Sequence, residues 1–114
     1  MERMIFINVP TRDLAAADRF YEAIGFTKNP MFSDEQASCW AASDTIFVMV
    51  LAEDFFATFL RDGDTPNLRS SQIGTLHALS VGSVPELEAL FEHAVEGGGS
   101  IYRPAHEPFP GMVE

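Results

Sequence analysis

Two side chains that could act together as an acid and a base lie next to each other near the end of the sequence. His106 and Glu107 are adjacent in a proline-rich stretch, residues 104–111, and an imidazole beside a carboxylate can transfer protons or bind a divalent metal. Glu53 is the carboxylate nearest to the end of an apolar run. These three residues are the catalytic candidates, although neighbours in sequence need not converge in space.

The other reactive residue types favour structural roles. His77 stands alone in an apolar run, where a histidine is more often a hydrogen-bonded interior group than a ligand, since a metal needs several oriented partners. Cys39 lies beside Trp40 with no basic neighbour in sequence to lower its pKa, so we expect a small buried thiol rather than a nucleophile. The glycine run 97–99 follows a predicted helix and indicates a helix stop, not a phosphate-binding loop.

Length and composition indicate one domain with a real core. The chain has 114 residues, 46% of them apolar, with 10 Phe and 2 Tyr besides a single Trp, which is enough to bury a core. Its formal net charge of -10 repels phosphate backbones and anionic bilayers, so neither nucleic acid nor membrane is expected as a partner. One cysteine cannot form an internal disulfide, and the absence of a signal-peptide pattern predicts a cytoplasmic protein.

Local patterns predict a β-α-β-β-β unit in the first half of the chain. Residues 4–9 alternate between two faces, and this strand is predicted to end at Pro10, which has no N–H. Asp13 can cap the following helix and Gly25 can stop it. Three further short strands are predicted at residues 27–32, 37–42 and 45–51.

The second half repeats this order after a break. A short helix and a polar linker are predicted for residues 52–73. A strand at residues 74–81 then leads to Ser83, a helix cap with Glu86 three residues later. The helix that follows has a stripe of apolar residues, which are Val84, Leu87, Leu90, Phe91, Ala94 and Val95.

An offset of 70 residues aligns the two helices without a gap, so that Phe20 and Tyr21 fall opposite Leu90 and Phe91. We therefore interpret residues 1–114 as one domain with a first module at 1–51, a linker with a short helix at 52–73 and a second module at 74–114. The second module, with one more strand at 100–103, is predicted to be incomplete. Missing strands would leave an unpaired sheet edge, so we expect either a longer natural chain or a second subunit that completes the sheet.

The chain resembles the glyoxalase/bleomycin-resistance/extradiol-dioxygenase superfamily, also called vicinal oxygen chelate proteins, in the run N-V-P-T-R-D-L-x6-F-Y-E-A-I-G-F and in the later run A-L-S-V-G-S-V-P-E-L-E-A-L. The resemblance implies an α+β fold in which tandem β-α-β-β-β modules form a half-barrel with a central cavity. It also implies a divalent metal that binds vicinal oxygens of the substrate.

The positions that correspond to the superfamily's metal ligands carry apolar residues in this sequence. The resemblance places the first three ligands at Phe6, Met49 and Leu76, and the fourth past residue 114. Because none of these three side chains supplies a nitrogen or oxygen ligand, we predict no metal site and no cofactor. Strand alternation turns His77, one residue after Leu76, toward the helix layer.

Two functions are compatible with the resemblance. The first is binding, without chemistry, of a small, largely apolar or aromatic molecule in the cavity between the modules, as the superfamily's resistance proteins sequester drugs. The residues expected to face this ligand include Asn8 as a polar anchor; they are Phe6, Asn8, Met49, Leu76 and Ala78, with Trp40 and Phe47 as further candidates. The second is a metal-dependent enzyme of glyoxalase (lactoylglutathione lyase), epimerase or dioxygenase type with other ligands such as Glu53 and His106. A homodimer is expected in either case, because the second sheet is open.

Overall fold

Two parallel strands and the helix that follows the first of them form the centre of the fold. The computed structural model describes residues 1–69 and 71–114. In the first half, β1 (Ile5–Thr11) leads into α1 (Leu14–Ala23), and the chain continues through β2 (Thr27–Asn29), β3 (Ala37–Ala41) and β4 (Ile46–Ala52). These strands form one mixed sheet in the order β1-β4-β3-β2, with β1 parallel to β4. The fold class is therefore α+β, as predicted, and the first half has the predicted β-α-β-β-β order.

α1 begins and ends close to where the sequence predicts. The Asp13 carboxylate accepts a hydrogen bond from the Ala16 N–H at 3.0 Å, which satisfies one of the unpaired donors of the first turn. After the last turn, Gly25 has a φ of 88°, a left-handed conformation that glycine adopts without a steric penalty.

Pro10 does not end β1, contrary to the prediction. Pairing with β4 continues to Thr11, which lies opposite Ala52. The Ile5 N–H donates to the Thr45 carbonyl at 2.8 Å, so every second residue from Ile5 directs its backbone groups to β4 and Pro10 faces the free edge of the sheet. A missing N–H on that edge costs no hydrogen bond of the sheet, which is why proline is tolerated there.

β2, in contrast, is shorter than predicted. The strand stops at Asn29, and Pro30–Phe32 forms a turn of 3-10 helix. The Asn29 side chain accepts a hydrogen bond from the Met31 N–H at 3.0 Å, so a polar cap and a proline at the first helical position favour the turn over an extended chain.

The main core lies between the sheet and α1. Trp40, Val48 and Val50 are its most buried members, with 3%, 8% and 1% of their surface exposed. Side chains from β1, from α1 and from the residue before β2 pack against them; these are Val9, Leu14, Ala17, Tyr21 and Phe26. All of these residues belong to the half of the chain that forms the sheet.

A polar cluster joins α1 to β2 and β3 beside this core. The Trp40 indole N–H donates to Asp18 at 3.1 Å, and the Lys28 ammonium lies 3.3 Å from the other carboxylate oxygen. The Ser38 hydroxyl is fully buried and faces the same carboxylate without a well-formed hydrogen bond to it. Partial burial of Asp18 raises its pKa, but the Ser38, Trp40 and Lys28 groups stabilise the charged form and bring the pKa below its usual value.

The second half contains two helices and no paired strand among residues 53–69 and 71–114. α2 (Glu53–Ala57) is the predicted short helix, and α3 (Val84–Glu96) begins at Ser83, whose hydroxyl accepts from the Glu86 N–H at 3.3 Å. The linker predicted at 52–73 includes Ser70, which lies outside the described residues. The strands predicted at 74–81 and 100–103 have no ladder partner in the described chain, so that part of the prediction is wrong for this structure. No helix in the described residues is both long and apolar enough to cross a bilayer.

α3 approaches α1 closely through the glycines that follow it. A Cβ atom added to Gly97 would lie 2.5 Å from the Ala23 Cβ and 3.2 Å from the Arg19 carbonyl, and one added to Gly99 would lie 2.6 Å from the Phe20 ring. Real Cβ atoms do not come this close to their neighbours. The glycine run therefore stops the helix and also allows the two helices to meet.

Replacing Gly97 by Ala should lower the free energy of unfolding by about 1 to 3 kcal/mol, because the added methyl group forces α1 and α3 apart. The φ of Gly97 is -79°, so alanine is not strained there and the effect reports the contact alone. Gly82→Ala is the matched control, since its Cβ would meet only the flexible Glu86 side chain and should change stability by less than about 0.5 kcal/mol. Urea unfolding of the two variants gives the comparison, and equal effects would contradict the close approach of the helices.

Replacing Asp18 by Asn should lower the free energy of unfolding at pH 7 by about 1.5 kcal/mol, the scale of a hydrogen bond to a charged group. The folded pKa of Asp18 lies below its ordinary value of 3.8, so its stabilising charge is fully present above 3.8 and is lost as the pH falls through the folded pKa. The difference between variant and wild type should therefore shrink as the pH falls below 3.8. Glu22→Gln, an exposed carboxylate on the same helix, should show no such pH-dependent difference in urea titrations.

Candidate functional site

A cavity of about 690 Å³ lies on the helix side of the sheet, where the two halves of the chain meet. One wall comes from the first half, from β1, α1 and β4. The facing residues come from α3 and from the segment 76–79, which precedes it. The cavity therefore lies between the first and second halves of the chain.

The walls of this cavity are formed by the apolar faces of the regular elements. The pairing of β1 with β4 places Ile5 opposite Ile46 and Ile7 opposite Val48, and these four side chains share one face of the sheet because side chains alternate along a strand. The helices contribute the stripes that face each other across the α1–α3 contact; these are Phe20, Tyr21 and Ile24 from α1 with Leu90, Phe91 and Ala94 from α3. Apolar periodicity in both halves thus produces an apolar cavity.

Tyr21 and His77 are the polar side chains among the described residues that line the cavity. Burial raises the pKa of the Tyr21 phenol, so the hydroxyl is protonated at neutral pH and can donate or accept a hydrogen bond. The imidazole of His77 offers a donor and an acceptor in its neutral form. A ligand in this cavity meets apolar contacts in most directions and a hydrogen-bonding group in two places.

Three aromatic rings fix the position of Tyr21. Its ring lies 5.3 Å from Phe20 in an edge-on arrangement, 5.4 Å from Phe26 and 6.2 Å from Trp40. Such ring contacts add to the burial energy of aromatic side chains. The α1 side of the cavity is therefore tied to the core of the protein.

The opposite wall is much more exposed. Every described residue from 71 to 86 is exposed, and Leu76 has 85% of its surface in contact with solvent. The prediction sets His77, toward the helix layer, apart from Leu76 and Ala78, whereas the consecutive residues 76–79 all line the cavity on the helix side. A paired strand would impose alternation, and no strand forms here.

The residues predicted to face a ligand divide into three groups. Leu76 and Ala78 line the cavity. Trp40 lies in the core on the same side of the sheet, with its indole bonded to Asp18. The remaining candidates share the other face of the sheet and do not line the cavity; they are Phe6, Asn8, Phe47 and Met49.

The other face carries a stacked aromatic pair. The rings of Phe6 and Phe47 lie 4.8 Å apart and are tilted by only 9°, because the two residues are direct partners in the β1–β4 pairing. The Asn8 side chain donates to the Phe6 carbonyl at 3.1 Å. Phe6 therefore packs against its neighbour at the position where the resemblance would place the first metal ligand.

The catalytic candidates of the sequence do not form one cluster. Glu53 lies 3.4 Å from Arg12 beside a second cavity of about 310 Å³ at the ends of β1 and β4. His106 lies 3.3 Å from the Glu114 carboxylate and 3.3 Å from the Pro104 carbonyl. Glu107 accepts a hydrogen bond from the backbone of the turn that follows it, at 3.0 Å.

No set of three His, Cys, Asp or Glu side chains in residues 1–69 and 71–114 is arranged to hold a metal ion. Cys39 is fully buried in β3, and burial raises the pKa of its thiol. A buried, protonated thiol is a poor nucleophile, in agreement with the structural role expected for it.

Several cavity residues on the helices are predictable from the sequence as members of a buried face, but not as the lining of a cavity. Tyr21, Leu90, Phe91 and Ala94 belong to apolar helix stripes, which indicate a buried face. Periodicity does not distinguish a stripe that packs against another element from one that borders an empty space. The repeat of Phe20 and Tyr21 as Leu90 and Phe91 is the signal that could have placed the two stripes opposite each other.

No protein-family model matches this chain, and no curated protein matches it. A solved structure of a hypothetical protein from S. aureus is similar to it with a TM-score of 0.74 and 19% sequence identity. The similarity covers 94% of this chain and 78% of the other. At this level of identity the likeness shows a shared fold that includes the second half of the chain.

Proposed function

We propose that this protein binds a small, largely apolar or aromatic molecule in the cavity between its two halves. The observation that carries the proposal is the cavity itself, with a volume of about 690 Å³ and a predominantly apolar lining. Small-molecule sites in proteins typically have volumes of roughly 300 to 1,000 Å³ and combine apolar walls with a few polar groups. The cavity has both properties.

The polar groups of the cavity indicate what kind of molecule fits. Tyr21 and His77 can each form one or two hydrogen bonds, while the other lining residues contribute apolar surface. The net charge of -10 disfavours the approach of anions. A neutral molecule with an apolar or aromatic body and one hydrogen-bonding group is the best match.

Membership of the glyoxalase/bleomycin-resistance/extradiol-dioxygenase superfamily is part of this proposal. It is supported by the β-α-β-β-β order of residues 5–52 and by α3, whose stripe repeats that of α1. The apolar residues at Phe6 and Met49 support a member that binds its ligand without the metal site usual in the superfamily.

Filling the cavity should weaken the binding of a neutral apolar probe. Ala94 lines the cavity from α3, so Ala94→Phe places a ring in the ligand space and should weaken binding by about tenfold or more, equivalent to about 1.4 kcal/mol. Ala89→Phe makes the same substitution at an exposed position of the same helix and should leave affinity within about twofold. The measurement is the fluorescence of N-phenyl-1-naphthylamine, which increases when the dye enters an apolar site.

Circular dichroism and urea unfolding of both variants confirm that they are folded before their affinities are compared. Equal loss of affinity in Ala94→Phe and Ala89→Phe would place the probe elsewhere on the protein. A wild-type protein that does not change the emission of the probe at any attainable concentration would contradict the proposed function.

A further inference from the structure

The geometry points to a second binding site in this chain, one that takes a small zwitterion with an ammonium and a carboxylate on a short apolar body. The site is the cavity of about 310 Å³ at the ends of β1 and β4, called the strand-end cavity below. Small-molecule sites begin at roughly 300 Å³, so this volume suits a molecule of the size of a free amino acid. The inference does not depend on the proposed function, which concerns the other cavity.

Backbone hydrogen bonds of the sheet fix the floor of the strand-end cavity. Thr11 and Ala52 are the last partners in the β1–β4 pairing, and the Ala52 N–H donates to the Gln36 carbonyl at 2.8 Å. Three separate stretches of chain therefore meet at this end of the sheet, and all three residues line the cavity. A ligand meets a floor that is ordered before it binds, which lowers the entropic cost of binding.

Arg12 is held at the rim of this cavity by the residues on either side of it. The Asp13 N–H donates to the Thr11 hydroxyl at 3.0 Å. The Asp13 carboxylate in turn accepts from the Ala16 N–H as the cap of α1. The backbone is therefore constrained both before and after Arg12, so the position of this residue does not depend on a ligand.

The guanidinium of Arg12 has donors left for a carboxylate. It approaches the Glu53 carboxylate through Nε, at 3.4 Å, and it makes no other side-chain hydrogen bond within residues 1–69 and 71–114. The two terminal NH₂ groups are thus free of protein partners in this part of the chain. A guanidinium fork of this kind matches the two oxygens of a carboxylate.

Two carboxylates beside Arg12 can receive an ammonium group. Glu53 and Asp54 both line the cavity, and only one oxygen of Glu53 contacts Arg12. The Asp54 side chain forms no ion pair or hydrogen bond with the described residues. An ammonium group donates up to three hydrogen bonds, and the net charge of -10 favours the approach of a positive group.

The presence of both signs of charge favours a zwitterion over a simple ion. A metal cation would lie beside the guanidinium, and no three ligating side chains of the described residues are arranged to hold one. An anion would lie beside two carboxylates. Arg12 and Glu53 are 68% and 43% exposed, and exposed pairs of this kind are weak, so a ligand with both charges can replace their contact at little cost.

Leu14 and Phe55 give the strand-end cavity an apolar part. Both line it and are partly buried. Leu14 also packs against the main core, and the Phe55 ring lies 5.2 Å from that of Phe59. A short aliphatic group of the ligand would cover the surface that these side chains expose. An α-amino acid with a small apolar side chain therefore combines the three features that the cavity offers.

The test is an NMR titration of the isotope-labelled protein with L-leucine. The amide signals of Thr11, Arg12, Glu53 and Asp54 should shift and reach saturation. Two probes of nearly the same shape each lack one charge: isoamylamine has no carboxylate, and isocaproate has no ammonium. Each should bind at least about fivefold more weakly than L-leucine, because it loses one set of charge-assisted hydrogen bonds at a partly exposed site.

Substitutions assign the two charges to their partners. Arg12→Gln should weaken L-leucine about fivefold and leave isoamylamine within about twofold, whereas Asp54→Asn should weaken both probes. Arg61→Gln is the matched control, because Arg61 also approaches a carboxylate through Nε at 3.4 Å but does not line either cavity. It should bind L-leucine as the wild type does. Circular dichroism confirms that the three variants are folded.

The outcomes separate this inference from its alternatives. Absence of shifts at the four amides up to the solubility limit of L-leucine overturns it. Equal affinity for L-leucine and isoamylamine also overturns it, since the cavity would then be a cation site. Equal losses in Arg12→Gln and Arg61→Gln would do the same. Ala94→Phe fills only the other cavity and should bind L-leucine normally, so a failure here leaves the proposed function untouched.

Discussion

The register between β1 and β4 determines which side chains reach each face of the sheet. The two parallel strands pair over seven positions, from Ile5 with Ile46 to Thr11 with Ala52. This register places Ile5 and Ile7 on the cavity side and Phe6 on the opposite side. A shift of one residue in β1 would exchange the two sets and would bring Phe6 into the cavity. The cavity lining, the stacked phenylalanine pair and the positions of the free backbone groups all follow from this pairing.

The first half of the fold was predictable because its signals are local. The Asp13 cap, the positive φ of Gly25 and the alternation of β1 each depend only on residues a few positions apart. The error at Pro10 is instructive in the same terms. Proline ends a strand only if its missing N–H would have faced a neighbour, and the sequence does not state which edge of β1 is free. The order of strands in the sheet decides that point, and this order depends on contacts far apart in the chain.

The candidate site was less predictable, because it depends on how the two halves of the chain pack against each other. Alternation in residues 74–81 predicted a strand, but alternation supplies no hydrogen-bond partner, and in the unpaired segment the consecutive residues 76–79 line a cavity. Trp40 shows a second limit. Its register position opposite Val48 places it on the helix side, where Asp18 accepts the indole N–H. Neither contact is visible in the neighbouring sequence.

The two walls of the cavity differ in how firmly they are held, and this difference has a consequence for binding. Tyr21 is fixed by three aromatic neighbours and by the core behind them, whereas residues 76–79 have few buried contacts. A segment with little burial opens at low cost in free energy. A ligand that contacts this segment must order it, and this ordering cost reduces the free energy gained on binding. The affinity of the cavity would therefore depend on how readily residues 76–79 are ordered, and much less on the rigid sheet.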